Sequence, residues 1–314
     1  MPTLTGHRIQ TDSVMLYLSM GRLRTRRKLA GSKIVKKADR PEDQEQALIQ
    51  SEIDPTLLHV SKDILESPEL KAISEHDTAL KAWVRARCLP SPFKGKGIMI
   101  LPVRLIQEVA EEVEASKRDR QPLIEQFISM YEQRKQEAQA KLSTGYDASD
   151  YPNVQQVREA FTFEFQLWEL STPGQLATVN RELYQRELTK MQNMWSEASH
   201  QVSTVLLQEF RKLTAHLSEK LAPGEDGKTK IFRDTTVTNL TQWLDLFQSR
   251  NITDDAELVE TVTKARQLIS GVHPDTIRDS DTLRAELAKS FAEITAEVDA
   301  TLIDRPMRAI DLDE

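Results

Sequence analysis

Residues 173–222 read PGQLATVNRELYQRELTKMQNMWSEASHQVSTVLLQEFRKLTAHLSEKLA, and after Pro173 no proline recurs until Pro223. Leu176, Val179, Leu183, Leu188, Met191, Trp195, Ala198, Val202, Val205, Leu206, Phe210, Leu213, Leu217 and Leu221 return every few residues, as one face of a helix does. At a rise of ~1.5 Å per residue, about 48 residues build a rod on the order of 70 Å long. A rod longer than a compact domain is wide must have its apolar seam covered along its length. The stretch 103–142 is the antiparallel candidate within the chain, and self-association through the 173–221 helix is the alternative.

The rest of the chain is also mostly helical in pattern. Pro41, Pro55, Pro68, Pro102, Pro152 and Pro173 each precede a helix-compatible stretch, and Asp54, Ser67, Asp150 and Thr172 stand before four of them as caps. After Pro68, Leu70, Ile73, Leu80, Trp83, Val84 and Cys88 keep to one face, interrupted by Asp77. In 103–142 the stripe runs through Leu105, Ile106, Val109, Val113, Leu123, Ile124, Phe127, Ile128 and Tyr131, with a kink or turn expected at Pro122. Three stretches are strand-like: Val14–Leu18, Ile98–Leu101 after Gly95 and Gly97, and Phe161–Leu167, where apolar and polar residues alternate. Together they predict one small sheet.

Beyond Pro223-Gly224-Glu225-Asp226-Gly227-Lys228 three amphipathic segments follow, the second capped by Thr253 and ended by Gly271, the third opened by Ser280. The expected class is mainly α: a long antiparallel helical hairpin or coiled coil with a small β-sheet and a C-terminal helical bundle. The expected division is a mixed domain over 1–222, a linker over 223–234, a three-helix region over 235–304 and an acidic tail over 305–314.

Composition excludes several function classes. With 10 Gly and 13 Pro in 314 residues, 29% charged and 39% apolar, the chain belongs with ordinary globular proteins. No apolar run approaches the ~18 residues of a membrane span, and the first residues lack a signal-peptide pattern, so a cytoplasmic protein is expected. Cys88 is the only cysteine, which removes intrachain disulfides and cysteine-rich zinc sites, and its place on an apolar face marks it as a packed side chain.

Catalytic motifs are equally scarce. Residues 222–229 approach a phosphate-binding loop, but Ala222 stands where the first glycine belongs and a helix precedes it where a strand should, so the segment reads as a charged linker. His7, His59, His76, His200, His216 and His273 are scattered without metal-ligand spacing, and Glu75-His76-Asp77 reads as an exposed polar corner. No Gly-x-Ser-x-Gly elbow presents a serine. The sequence predicts no catalytic residue, no metal site and no cofactor, hence no enzyme.

Charge placement says more. Residues 22–40 carry nine cations, Arg22, Arg24, Arg26, Arg27, Lys28, Lys33, Lys36, Lys37 and Arg40, against Asp39, a local charge of +8. The whole chain carries 42 cations and 49 acids, net −7, so the remainder carries −15. If the strand around Leu16 continues, Arg22, Arg24, Arg26 and Lys28 face one way at ~7 Å intervals, close to the phosphate spacing along a nucleic-acid strand. The tract Arg22 to Lys37 is therefore the candidate contact for nucleic acid. Neutralisation of acidic helices such as 42–52, or of an acidic partner protein, is the competing reading.

The order of these segments carries a resemblance. An early strand runs into a basic stretch (Leu16-Tyr17-Leu18-Ser19-Met20-Gly21-Arg22), a glycine-bearing strand ends at Pro102, and a charged helix leads to Tyr151-Pro152, Val157-Arg158 and Phe161-Thr162-Phe163-Glu164-Phe165. Over roughly residues 14–220 this resembles a bacterial and phage family of uncharacterised helical proteins encoded beside MoxR-type AAA+ ATPases and cobaltochelatase-like von Willebrand factor A proteins. The resemblance implies a protein partner, the AAA+ ATPase and/or the von Willebrand factor A protein, in a phage or antiviral-defence system. It transfers no active-site residue. The function expected is that of a non-enzymatic helical adaptor, with a nucleic-acid-binding subunit as the alternative.

Overall fold

The computed structural model describes residues 9–28, 61–93, 95, 97–169, 174–224, 230–253 and 255–303. In chain order its elements are β1 (Ser13–Met20), β2 (Arg26–Lys28), β3 (Ser61–Asp63), α1 (Pro68–Arg87), β4 (Leu89–Pro90), β5 (Ile98–Pro102), α2 (Ile106–Leu142), α3 (Val154–Glu159), β6 (Phe163–Trp168), α4 (Gln175–Val179), α5 (Arg181–Leu221), α6 (Asp234–Arg250), α7 (Ala256–Ile269), α8 (Pro274–Asp279) and α9 (Asp281–Ile303). The protein is mainly α with a small sheet. All three strand-like stretches are strands of that sheet, in the order β4-β5-β1-β6, with β1 antiparallel to β5 from Ser13 opposite Pro102 to Tyr17 opposite Ile98. No helix among the described residues is long and apolar enough to cross a membrane.

The chain forms two compact units, 1–17 with 84–109 and 166–314, and 18–83 with 110–165. The expected boundary near 223 is therefore not one. Leu206, Phe210 and Leu217 of α5 share a single core with Leu240 of α6, Ala265 of α7 and Phe291 of α9. A linker rich in turn residues marks a chain reversal, and it does so equally within a domain and between domains.

The long rod is real but begins later than its periodicity. Asn180, at φ −152° and ψ 107°, breaks the helix, and its side chain accepts from the Leu183 backbone N–H at 2.9 Å. Asparagine is a far better cap than helix-interior residue, so it starts α5 and leaves α4 as a single turn. The remaining 41 residues span about 60 Å.

Its antiparallel mate is α9, not the 103–142 stretch. Arg211 pairs with Asp299, Thr295 Oγ1 donates to Thr214 Oγ1 at 3.0 Å, and Ser218 Oγ donates to the Ala288 carbonyl at 2.8 Å, partners that run in opposite directions along the two helices. Leu287, Phe291, Ile294 and Val298 bring the apolar stripe that the seam requires. From Trp195 onward the seam is thus buried within the chain.

Two buried arginines fix this unit. Arg284 donates to the Leu221 and Lys220 carbonyls at 2.9 and 2.8 Å, and also to that of Lys230, so it caps the carbonyl end of α5 without any carboxylate. Arg250 holds Glu209 with both terminal nitrogens, at 2.6 and 3.1 Å, and reaches the Cys88 carbonyl at 3.2 Å. Trp243 Nε1 donates to the same Glu209 at 2.8 Å.

In the other unit, residues of α1 and α2 run antiparallel over a core of Ile73, Ile124, Phe127, Tyr131 and Val157. Arg134 of α2 grips Glu69 of α1 at 2.6 and 3.1 Å. No turn forms at Pro122: α2 continues through it. Pro122 and Arg118 are both exposed, so water can take the Arg118 carbonyl that a proline N–H cannot reach.

Two caps differ from expectation. Ser67 and Ser280 cap as predicted, accepting from the Leu70 and Leu283 backbone N–H groups, each at 3.2 Å. Asn153, not Asp150, opens α3 with a reciprocal box to Gln156. Asp255, not Thr253, opens α7; the Thr253 hydroxyl is buried against Ser203 and Asn251. Thr172 and Pro173 lie outside the described residues, as does Asp54.

Candidate anion-binding surface

The segment that follows β1 enters the second unit with little freedom. Gly21 N–H donates to the Thr162 carbonyl at 3.0 Å and to Thr162 Oγ1 at 3.1 Å, and Arg120 donates to the Gly21 carbonyl at 2.7 Å. A Cβ at residue 21 would collide with Thr162 Oγ1 and sit 2.8 Å from the Ala160 carbonyl, so this approach requires glycine. Leu23 is buried in the core, and the Ile64 N–H donates to the Thr25 carbonyl at 2.8 Å. Arg26 then opens β2, paired across to Asp63 of β3.

Pinned at these points, the segment alternates. Arg22, Arg24 and Arg26 are exposed, Leu23 is buried, and Thr25 and Arg27 are half-buried. The expected continuous strand is absent, since β1 ends at Met20 and strand pairing resumes only at Arg26. The outward alternation of the arginines survives because the tertiary hydrogen bonds replace those of a ladder.

Arg27 faces inward and acts as the tie. It donates to the carbonyls of Arg24 at 2.9 Å, Arg26 at 3.4 Å and Asp150 at 3.5 Å. Of the outward three, Arg22 bonds the neutral Ser74 hydroxyl, and Arg26 lies 3.7 Å from Asp63 with both side chains largely exposed. Arg24 has no acidic partner among the described residues. A pair as exposed as Arg26 and Asp63 neutralises little. Lys28 lies in β2, whereas Lys33, Lys36 and Lys37, and the acidic stretch 42–52, lie outside the described residues.

Beneath the row sits a charge cluster that sequence reasoning missed. Asp77 is buried, not part of an exposed corner, and Arg120 holds both its oxygens at 2.8 and 3.1 Å. Arg120 also donates to the Thr162 carbonyl at 3.1 Å, with the Phe161 and Phe163 rings 5.8 and 5.9 Å away. A signal was present: Asp77 and Arg120 each interrupt an apolar helical stripe, and two opposite charges at core positions can only be buried together. The aromatic strand is thus occupied by cations of its own chain, Lys117 lying 5.9 Å from the Phe163 ring.

His76 Nε2 lies 3.4 Å from Ser116 Oγ and Nδ1 lies 3.7 Å from Asp77 Oδ1, a superficial Ser-His-Asp arrangement. Yet Asp77 is already held by Arg120, His76 Nδ1 is buried without a hydrogen bond, and Ser116 is buried on α2. The triad geometry needs the carboxylate to orient the imidazole, which it does not do here. Burial pushes the Cys88 thiol up to about 12, so it is not a nucleophile at neutral pH. Among the described residues no group of His, Cys, Asp or Glu could hold a metal ion. Residues 225–229 of the loop-like segment lie outside the described residues, as do His7, His59 and the 305–314 tail.

Compared with protein-family models, with curated proteins and with solved structures, the chain has no match. The surface must therefore be read from its own chemistry. It consists of three guanidinium groups presented outward from a fixed backbone, each able to fork two N–H donors onto one anionic group.

Proposed function

We propose that this protein works by contact, as a non-enzymatic helical adaptor in the cytoplasm of a bacterial or phage-derived multi-protein system. One observation carries the reading: the buried arginines, Arg120, Arg250 and Arg284, take their partners inside the protein, while Arg22, Arg24 and Arg26 are held outward with one exposed carboxylate, Asp63, beside them among the described residues. Positioning charge at a surface costs the fold nothing in buried polar groups and suits recognition rather than reaction. The resemblance in segment order suggests the partner, a MoxR-type AAA+ ATPase and/or a von Willebrand factor A protein.

The test is mass measurement in solution on the chain alone and after co-expression with such an ATPase and such a von Willebrand factor A protein. A discrete complex is expected with at least one of them. Hydrolysis of ATP, nucleic acid or peptide by the pure chain, abolished by a point substitution, would overturn the reading.

A further inference from the structure

We infer that the row Arg22, Arg24 and Arg26 binds the sugar-phosphate backbone of single-stranded nucleic acid, without regard to base sequence. The inference rests on the contact reading above and names the ligand of one surface.

Three properties of the row select this ligand over an acidic protein. First, its backbone is already largely used. The carbonyls of Gly21, Thr25, Arg24 and Arg26 accept from Arg120, Ile64 and Arg27, so four of the six carbonyls from Gly21 to Arg26 are engaged before a partner strand could pair with them. Second, the inward positions between the arginines are filled by the chain's own Leu23 and Thr25, leaving no pocket for the alternate side chains that peptide recognition uses. Third, exposure alternates residue by residue from Arg22 to Arg26, so the three cations leave the same side in sequence, and a nucleic-acid strand offers a uniform charge at each phosphate in every register.

The row is short, at most about 14 Å from Arg22 to Arg26 at ~3.3–3.6 Å per residue, and it lies along a single segment, which suits one strand rather than the two edges of a groove. The Phe161 and Phe163 rings lie against Arg120, so these two are not offered for stacking on bases. Binding through phosphates alone positions a strand and reads no sequence.

The experiment uses the full chain and measures fluorescence anisotropy of labelled 30-nucleotide dT and dA strands and a duplex of equal length, over 50–200 mM KCl. The two single strands should bind alike and more tightly than the duplex. The slope of log affinity against log salt should be shallower by about 2 in the R22A/R24A/R26A variant, which is ~0.7 for each of three lost contacts. Three contacts also predict that their share of the affinity drops roughly 20-fold between 50 and 200 mM salt. The corresponding triple lysine variant should keep the slope, which separates loss of charge from loss of fold. No binding at 50 mM salt, or an unchanged slope in the alanine variant, would sink the proposal. Tighter binding to poly-glutamate than to the oligonucleotides would overturn the ligand while leaving the contact reading intact. A failed complex with the ATPase beside intact strand binding would do the reverse.

Discussion

The unit built on α5 and the unit containing β2, β3 and α3 use the same side chain in opposite ways. In the first, Arg250 and Arg284 are sunk among apolar residues, one forked onto Glu209 and the other spread over three backbone carbonyls. In the second, Arg120 is sunk in the same manner with Asp77, but Arg22, Arg24 and Arg26 stay outside. The difference lies in what each guanidinium meets. An arginine enters the interior only where an acid or a set of orphan carbonyls awaits it, and otherwise remains in water, available to a partner.

That comparison can be broken most forcefully at Asp77. Replacing Asp77 with Ala strands the Arg120 guanidinium in the core with two carbonyls and no counter-charge, and about 3–5 kcal/mol of stability should be lost. Urea unfolding measures it, and a loss below ~1 kcal/mol would mean that Arg120 is not buried as described.

Arg284→Met tests the carbonyl-bound class. Here no charge is orphaned, but the carbonyls at the end of α5 lose their donor, so a smaller loss of about 1–3 kcal/mol is expected by the same measurement. A loss equal to that of Asp77→Ala would erase the distinction between the two kinds of buried arginine.

Next comes a pH effect. Arg134, aided by the Ser67 hydroxyl, pulls the Glu69 carboxyl down to about 2 from 4.5, against the opposing effect of burial. The folded value lies below the unfolded one, so the pair's stabilisation is complete above about 4.5 and is lost as pH falls from there towards 2. Glu69→Gln should remove this part of the acid sensitivity, seen as a flatter stability profile between pH 5 and 2. An unchanged profile would dissolve the ion pair between α1 and α2.

The smallest effect belongs to the surface row. Arg24→Ala should change stability by less than ~0.5 kcal/mol, because its side chain has no acidic partner among the described residues. A loss of ~2 kcal/mol would place Arg24 in a structural role and remove it from the contact surface.

Much of the architecture was legible in the chain. The three strand-like stretches, the helix after Pro68, the long helix and the C-terminal amphipathic segments all appear, although the long helix starts at Arg181 and Asp255 replaces Thr253 as the cap of α7. What periodicity could not say was which stripe faces which. The seam of α5 fits any apolar helix of sufficient length, and α9 won that place because its direction and its Leu287, Phe291, Ile294 and Val298 match it within one core. Asn180 shows the opposite failing, a local cap preference that overrides a continuous apolar pattern.

The candidate surface was half legible. The cation density of residues 22–40 stands in the sequence, and so does the alternation of Arg22, Arg24 and Arg26 with Leu23, Thr25 and Arg27. The anchors are not. Thr162 and Arg120 lie 141 and 99 residues from Gly21, and nothing local announces that they will hold it.

By itself, then, the sequence determined the helical class, the strand segments, the inertness expected of Cys88 and the concentration of positive charge, since each follows from local pattern and composition. The tertiary structure alone decided that α9 covers α5, that Asp77 and Arg120 share a burial, and that three arginines face outward from a fixed backbone. Pairing between distant segments depends on the fit of whole surfaces and on matching buried charges, and neither is written in any one stretch of chain.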